Sequence, residues 1–134
     1  RTLPHAPETV WEALTDPKAL NKWFTTKAKQ DLKVGGRYSN GDGDQGTFVT
    51  IKPPKKLTFT WENPEHSPGS LVVFDLWPKE GGKTLLRVTQ SKLQDQAAVD
   101  AQKEGWSWAL DSLKHYLETG KGIRHEEWQA ARKP

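Results

Sequence analysis

The sequence predicts an α+β fold: a curved, six-stranded antiparallel sheet wrapped around one long C-terminal helix, with two short helices closing one end. Three observations carry this. Six short runs have strand character, and most are linked by turn-forming residues. Two short apolar-faced helical stretches lie between the first run and the second. The segment GWSWALDSLKHYLETG (105–120) brings Trp106, Ala109, Leu110, Leu113, Tyr116 and Leu117 onto one helical stripe. That stripe is too aromatic for a flat partner and calls for a concave one.

The elements follow in order. TLPH (2–5) is a short first strand. PETVWEAL (7–14) starts on Pro7, suited to a first helical turn, and sets Val10, Trp11 and Leu14 on one face. Asp16 caps a second helix with Pro17 in its first position and Leu20, Trp23 and Phe24 on its apolar side. GGRYSN (35–40) opens the meander, and NGDGD (40–44) turns it into GTFVTI (46–51). After Pro53 and Pro54, LTFTW (57–61) alternates, with Leu57, Phe59 and Trp61 on one side. LVVFDLW (71–77) and TLLRVTQS (84–91) form a hairpin around PKEGGK. Asp95 is the expected cap of the final helix, and Gly120 its stop. Gly105, inside that helix, costs about 1 kcal/mol relative to Ala, which suggests a local break or a close backbone approach.

Sequential hairpins curl an antiparallel sheet by their twist, and the long helix then lies across the concave side. This is a helix-grip arrangement. Its domain is expected over residues 1–121, with 122–134 as a tail that reads as a short appended helix.

Composition narrows the function. A chain of 134 residues suits one domain with a single core. Seven Trp are many for this length, and ring faces suit flat apolar ligands. No run approaches the roughly 20 apolar residues of a membrane span. Cysteine is absent, which excludes disulfides, thiolate nucleophiles and Cys-ligated metals. With no signal-peptide pattern after Arg1, a cytoplasmic location is expected. The net charge of +3 is spread out, densest at KPPKK (52–56) and ARKP (131–134), and does not form the basic, aromatic-interleaved face of a nucleic-acid binder.

Catalytic and metal motifs fail on inspection. HEEW (125–128) lacks a second His four residues after His125. In NGDGDQG, the twelfth position counted from Asn40 is Ile51, not the Glu of a calcium loop. EGGKT has Trp77 where a phosphate loop needs its first Gly. His5, His66, His115 and His125 are dispersed, no Ser occupies a nucleophile elbow, and no general base is visible. No catalytic residue, metal ligand or cofactor is assigned.

Alternation places Tyr38, Phe48, Phe59, Trp61, Val72, Phe74, Leu76, Leu86, Val88 and Gln90 on the inner face. Trp23, Phe24, Trp106, Leu110 and Leu113 converge on the same space from the helices. Apart from Val72, these are the candidate ligand contacts. Gln90 and Tyr38 would orient a ligand's polar end, or instead bond to neighbouring protein groups. Asp75, Trp77, Arg87 and Thr89 fall on the outer face. Trp108, roughly opposite Leu110 and Leu113, is expected to be exposed, so Trp77 and Trp108 are candidate contacts for a chaperone or a second copy of the chain.

Several pieces together resemble the activator-of-heat-shock-protein-90-ATPase homologue (AHSA-type) family, within the START/SRPBCC superfamily that includes the birch pollen allergen. They are APETVWEALTDPKALNKWF, VGGRY, G…IKPPKKLTFTW, GGKTLLRVTQS and GW…L..LK.YLETGK, in the family's order from residue 6 to residue 121. The resemblance implies the helix-grip fold. For function it implies a hydrophobic small molecule (lipid, flavonoid or polyketide-like) or a chaperone. The eukaryotic co-chaperones carry a further N-terminal domain with no counterpart in this sequence, which favours the small molecule. The alternative is a protein-interaction domain acting as a chaperone ATPase activator or stress-response cofactor.

Overall fold

The computed structural model describes residues 1–41, 43–63, 67–91 and 96–132. Their elements run β1 (Thr2–Leu3), α1 (Pro7–Thr15), α2 (Pro17–Trp23), β2 (Lys29–Gln30), β3 (Arg37–Ser39), β4 (Gln45–Lys52), β5 (Lys56–Asn63), β6 (Ser67–Lys79), β7 (Lys83–Ser91), α3 (Gln96–Thr119) and α4 (His125–Arg132). Among the described residues the strands form one antiparallel sheet of seven, ordered β1-β7-β6-β5-β4-β3-β2. The expected six strands become seven through β2. Its two residues carry no apolar alternation and pair only by backbone register, Lys29 with Ser39 and Gln30 with Tyr38. Position Asp95, the expected cap of α3, lies outside the described residues.

Local chemistry accounts for the helices. Pro7 and Pro17 open α1 and α2, and the Asp16 carboxylate accepts from the Lys18 N–H at 3.0 Å. The Trp23 indole donates to the Ala13 carbonyl at 2.8 Å, which locks α2 against α1. Gly120 ends α3 at φ +83°, its N–H donating to the Tyr116 carbonyl at 2.7 Å.

The inner face of the sheet is built from matched apolar pairs. Leu57 faces Phe74, Phe59 faces Val72, Phe74 faces Val88 and Leu76 faces Leu86. Register shifts between Phe48 and Thr50, and between Trp61 and Asn63, sharpen the local twist. Helix α3 lies on this face. Ala109 and Leu113 are buried in the same cluster as Leu57, Phe59, Phe74 and Leu86, and the Trp106 ring stands edge-on to Phe74 at 5.7 Å. Full burial of a side chain such as Leu113 contributes about 1.5–3 kcal/mol.

The outer face carries Asp75, Trp77, Arg87 and Thr89. Asp75 is nonetheless buried, because Arg87 (3.1 Å) and Lys56 (3.6 Å) cover it as ion-pair partners. Among the described residues, no helix is long and apolar enough to cross a membrane.

Candidate functional site

Two spaces adjoin the aromatic end of α3. The first is an inner cavity of about 60 Å³ between sheet and helices, walled by apolar side chains including Leu14, Leu20, Phe48, Leu57, Phe59 and Phe74. It holds only a few waters. The second is an open cleft of about 720 Å³ bounded by the end of α2 and the residues after it, Asp44, Trp61, the stretch of α3 from Glu104 to Trp108, and Gly122–Glu126. Trp23, Phe24 and Trp106 border both spaces and so form the partition between them.

The partition is an aromatic cluster centred on Phe24. This residue ends α2, its N–H donating to the Leu20 carbonyl at 2.9 Å. Its ring stacks near-parallel with Trp106 (6.2 Å, 11°) and Trp108 (6.0 Å, 23°) and meets Trp61 edge-on (6.0 Å, 78°). Trp61 and Trp106 are themselves perpendicular at 5.3 Å. Such offset and edge-to-face geometries are favourable for aromatic rings.

Each cleft indole is held by its N–H. Trp61 donates to Asp44 Oδ1 (2.9 Å), Trp106 to Gln90 Oε1 (2.8 Å), Trp108 to the Ile123 carbonyl (2.7 Å) and Trp23 to Ala13. The rings therefore offer faces rather than donors to whatever enters. Gln90 is the hub of this anchoring. It also donates to Ser70 Oγ at 2.8 Å, so both ends of its amide are engaged by protein groups. Gln90→Leu removes both partners, and a loss of about 1–3 kcal/mol in urea unfolding is the expected result.

Tyr38 borders the inner cavity from β3, and its hydroxyl donates to the Thr60 carbonyl at 2.6 Å. Burial, with Asp44 and Glu62 adding negative charge nearby, pushes its pKa well above the ordinary value of 10.0. The neutral form is thus favoured by folding. Stability from this group is complete below about pH 10 and declines as pH rises further, because the unfolded tyrosine ionises first. Tyr38→Phe is expected to flatten that alkaline decline in denaturation profiles across pH 9–12, a range set by the reference tyrosine pKa near 10.

The structure separates the candidate residues into groups. Phe24, Trp23 and Trp106 border both spaces, Trp61 borders the cleft, and Tyr38, Phe48, Phe59 and Phe74 border the cavity. Leu76, Leu86 and Leu113 are sealed core, while Val88, Gln90 and Leu110 are partly buried, and none of the six lines either space. Trp108 is not the exposed residue its helical-wheel position predicts. The segment after α3 folds back over it, and its ring meets His125 edge-on at 5.5 Å. Trp77 remains 40% exposed, with the Arg87 guanidinium 4.9 Å from its ring centroid.

The cleft also gathers groups absent from the sequence-level list: Lys22, Asp44, Glu104, Gly105, Arg124, His125 and Glu126. They come from the end of α2, a turn, the interior of α3 and the tail, none of which shows strand alternation. Asp44 accepts from Trp61 and, through Oδ2, from Asn40 Nδ2 at 3.2 Å, so this carboxylate orients a ring. Among the described residues, no cluster of three or more His, Asp or Glu could hold a metal ion.

The tail forms the outer wall through specific bonds. Ser112 Oγ, fully buried, donates to the Trp23 carbonyl (2.5 Å) and accepts from the Ile123 N–H (2.9 Å). The Gly122 N–H donates to the Lys22 carbonyl at 3.0 Å, and the Trp128 indole to Asp111 Oδ2 at 2.7 Å.

Comparison with known proteins gives a consistent set of likenesses. Residues 4–118 match the family model described as Activator of Hsp90 ATPase homolog 1-like protein. The crystal structure of CalU16 from Micromonospora echinospora is similar at 31% identity and a TM-score of 0.77, over 90% of this chain and 74% of that one. DynU16, a putative protein in the dynemicin biosynthetic locus, is similar at 30% identity and a TM-score of 0.79, over 94% of this chain, which spans 48% of DynU16. The Aha1 dimer from Colwellia psychrerythraea is similar at 28% identity and a TM-score of 0.77, over 91% of this chain and 95% of that one. No curated protein matches the chain in sequence.

Proposed function

The chain belongs to the Activator of Hsp90 ATPase homolog 1-like family, and on that premise we propose that it binds a flat, largely apolar aromatic small molecule in the cleft beside α3. The observation that carries this reading is the cleft itself: about 720 Å³ of open space against the Phe24–Trp61–Trp106–Trp108 cluster. That volume suits a small-molecule site. Because each indole N–H is engaged within the protein, the rings offer faces, which suit a flat aromatic ligand, while Lys22, Glu104 and Glu126 of the same cleft suit polar substituents on it. A ligand burying about 300 Å² of apolar surface gains roughly 7–8 kcal/mol before the costs of association.

In this reading Phe24, Trp61, Trp106 and Trp108 touch the ligand, and Gln90 acts through Trp106. The inner residues Tyr38, Phe48, Phe59 and Phe74 meet a ligand only if Phe24 rotates aside to join cavity and cleft. The grip domain spans residues 1–121, and the tail that follows supplies the outer wall through Gly122–Glu126. We place the protein in the cytoplasm. The likeness to DynU16, from a biosynthetic locus, supports a small-molecule ligand.

Titration with flavonoids, polyketide-like aromatics and fatty acids, followed by Trp fluorescence and thermal shift, tests the reading. Flat aromatics are expected to quench saturably and to raise Tm with concentration. Silence across the panel overturns it.

A second reading has its own observation, the half-open Trp77 under Arg87 on the outer face of β6 and β7. An exposed Trp beside Arg suits a protein contact, with a chaperone or with a second copy of the chain. The family description and the Aha1 dimer support this alternative. It requires Trp77→Ala to abolish chaperone capture or self-association while leaving ligand titrations unchanged.

A further inference from the structure

Gly105 lies inside α3, where glycine weakens a helix, and neither explanation suggested by the sequence accounts for it. The helix runs unbroken through the position from Gln96 to Thr119. Close packing is absent too, since a Cβ built on Gly105 meets nothing within 4 Å. What lies in front of it is the cleft.

The neighbouring positions show where the open space begins. One turn further on, and on nearly the same side of the helix, Ala109 is 2% exposed and sealed into the core. On a helical wheel Gly105 falls between Trp106 and Trp108, whose rings both stack on Phe24. Bare helix backbone at this point therefore forms part of the wall beside the stacked rings.

We propose that Gly105 is the specificity-determining position of the cleft: its missing side chain admits a rigid fused-ring aromatic ligand against the α3 backbone, and a larger residue excludes it. This rests on the cleft being a small-molecule site and adds the class of ligand. A rigid ring system cannot bend around a side chain at 105, whereas a flexible acyl chain can. Fused aromatics and acyl chains are thus separated by one substitution.

The test titrates 1-aminoanthracene, a flat fused-ring probe, and cis-parinaric acid, a chain-like one, into the wild type and three variants. Gly105→Leu is expected to weaken the aromatic probe at least ten-fold, to change the chain-like probe less, and to leave Tm no lower. Gly105→Ala is expected to raise Tm and weaken the aromatic probe by a smaller factor. Lys114→Leu, exposed on the opposite side of α3, is expected to leave both affinities unchanged. Wild-type binding with undiminished aromatic affinity in Gly105→Leu overturns the role of Gly105 and leaves the cleft reading standing. Should Gly105→Leu lose Tm, Gly105→Ala decides, and unchanged aromatic affinity there overturns the proposal. No saturable aromatic binding by the wild type removes the cleft reading and this inference with it.

Discussion

Trp106→Ala is expected to destabilise the fold by about 3 kcal/mol, toward the low end for large aromatic truncations because the ring is only partly buried. The indole touches Phe24, Trp61 and Phe74, and all three lose a ring partner at once. Gln90 Oε1 loses its donor as well. The hole opens toward the cleft, so water can reach the freed amide, and this limits the penalty. Trp106→Phe keeps most of the ring contact and removes only the hydrogen bond, for a smaller loss of about 1 kcal/mol. Urea unfolding with unchanged m-values separates the two variants from any loss of two-state behaviour. Ligand affinity should fall sharply in the Ala variant, because the partition between cavity and cleft is gone.

Gly122→Ala is expected to act on the cleft wall. A Cβ there would stand 2.5 Å from the Trp23 Cα, 2.6 Å from the Lys22 carbonyl oxygen and 2.7 Å from Ser112 Oγ. Two of these are backbone atoms of α2 and cannot swing away. The 122–126 segment must lift, breaking the Gly122–Lys22, Ile123–Ser112 and Trp108–Ile123 hydrogen bonds. At about 0.5–1.5 kcal/mol each, the three amount to roughly 1.5–4.5 kcal/mol. Its main consequence is local. Faster amide hydrogen exchange is expected at Ile123 and Trp128, together with proteolysis near residue 121 and at least ten-fold weaker ligand binding. Exchange in β5–β7 should change far less, because those strands do not depend on the tail.

These two sites also show what was legible in the sequence. LTFTW announces a strand by strict alternation, and Leu57 and Phe59 are buried, but Thr58 between them is buried as well and Trp61 only partly so. The PKEGGK hairpin and the stripe of α3 are equally plain, since each follows a period or a turn rule. Gln90 is legible as a polar group on an inner face, but its partners are not. Ser70 and the Trp106 indole meet it through the β6–β7 register and the height of α3 over the sheet. Strand β2 escapes notice because two polar residues have no period to detect. The tail escapes for another reason. Its docking depends on carbonyls of Lys22 and Ile123, on the Ser112 hydroxyl and on one side-chain pair, Trp128 with Asp111, and backbone acceptors leave no trace in residue type. Hence Trp108, read as exposed, is partly covered, and the larger space opens beside the aromatic partition.

The most direct test of the central claim uses the seven Trp as reporters. Indole N–H signals of ¹⁵N-labelled protein are followed while a flat aromatic ligand from the panel is titrated in. Trp61, Trp106 and Trp108 are expected to shift together and saturate, with Trp77 unmoved. Saturation confined to Trp77, or no shift in the cleft indoles at any concentration, would contradict it.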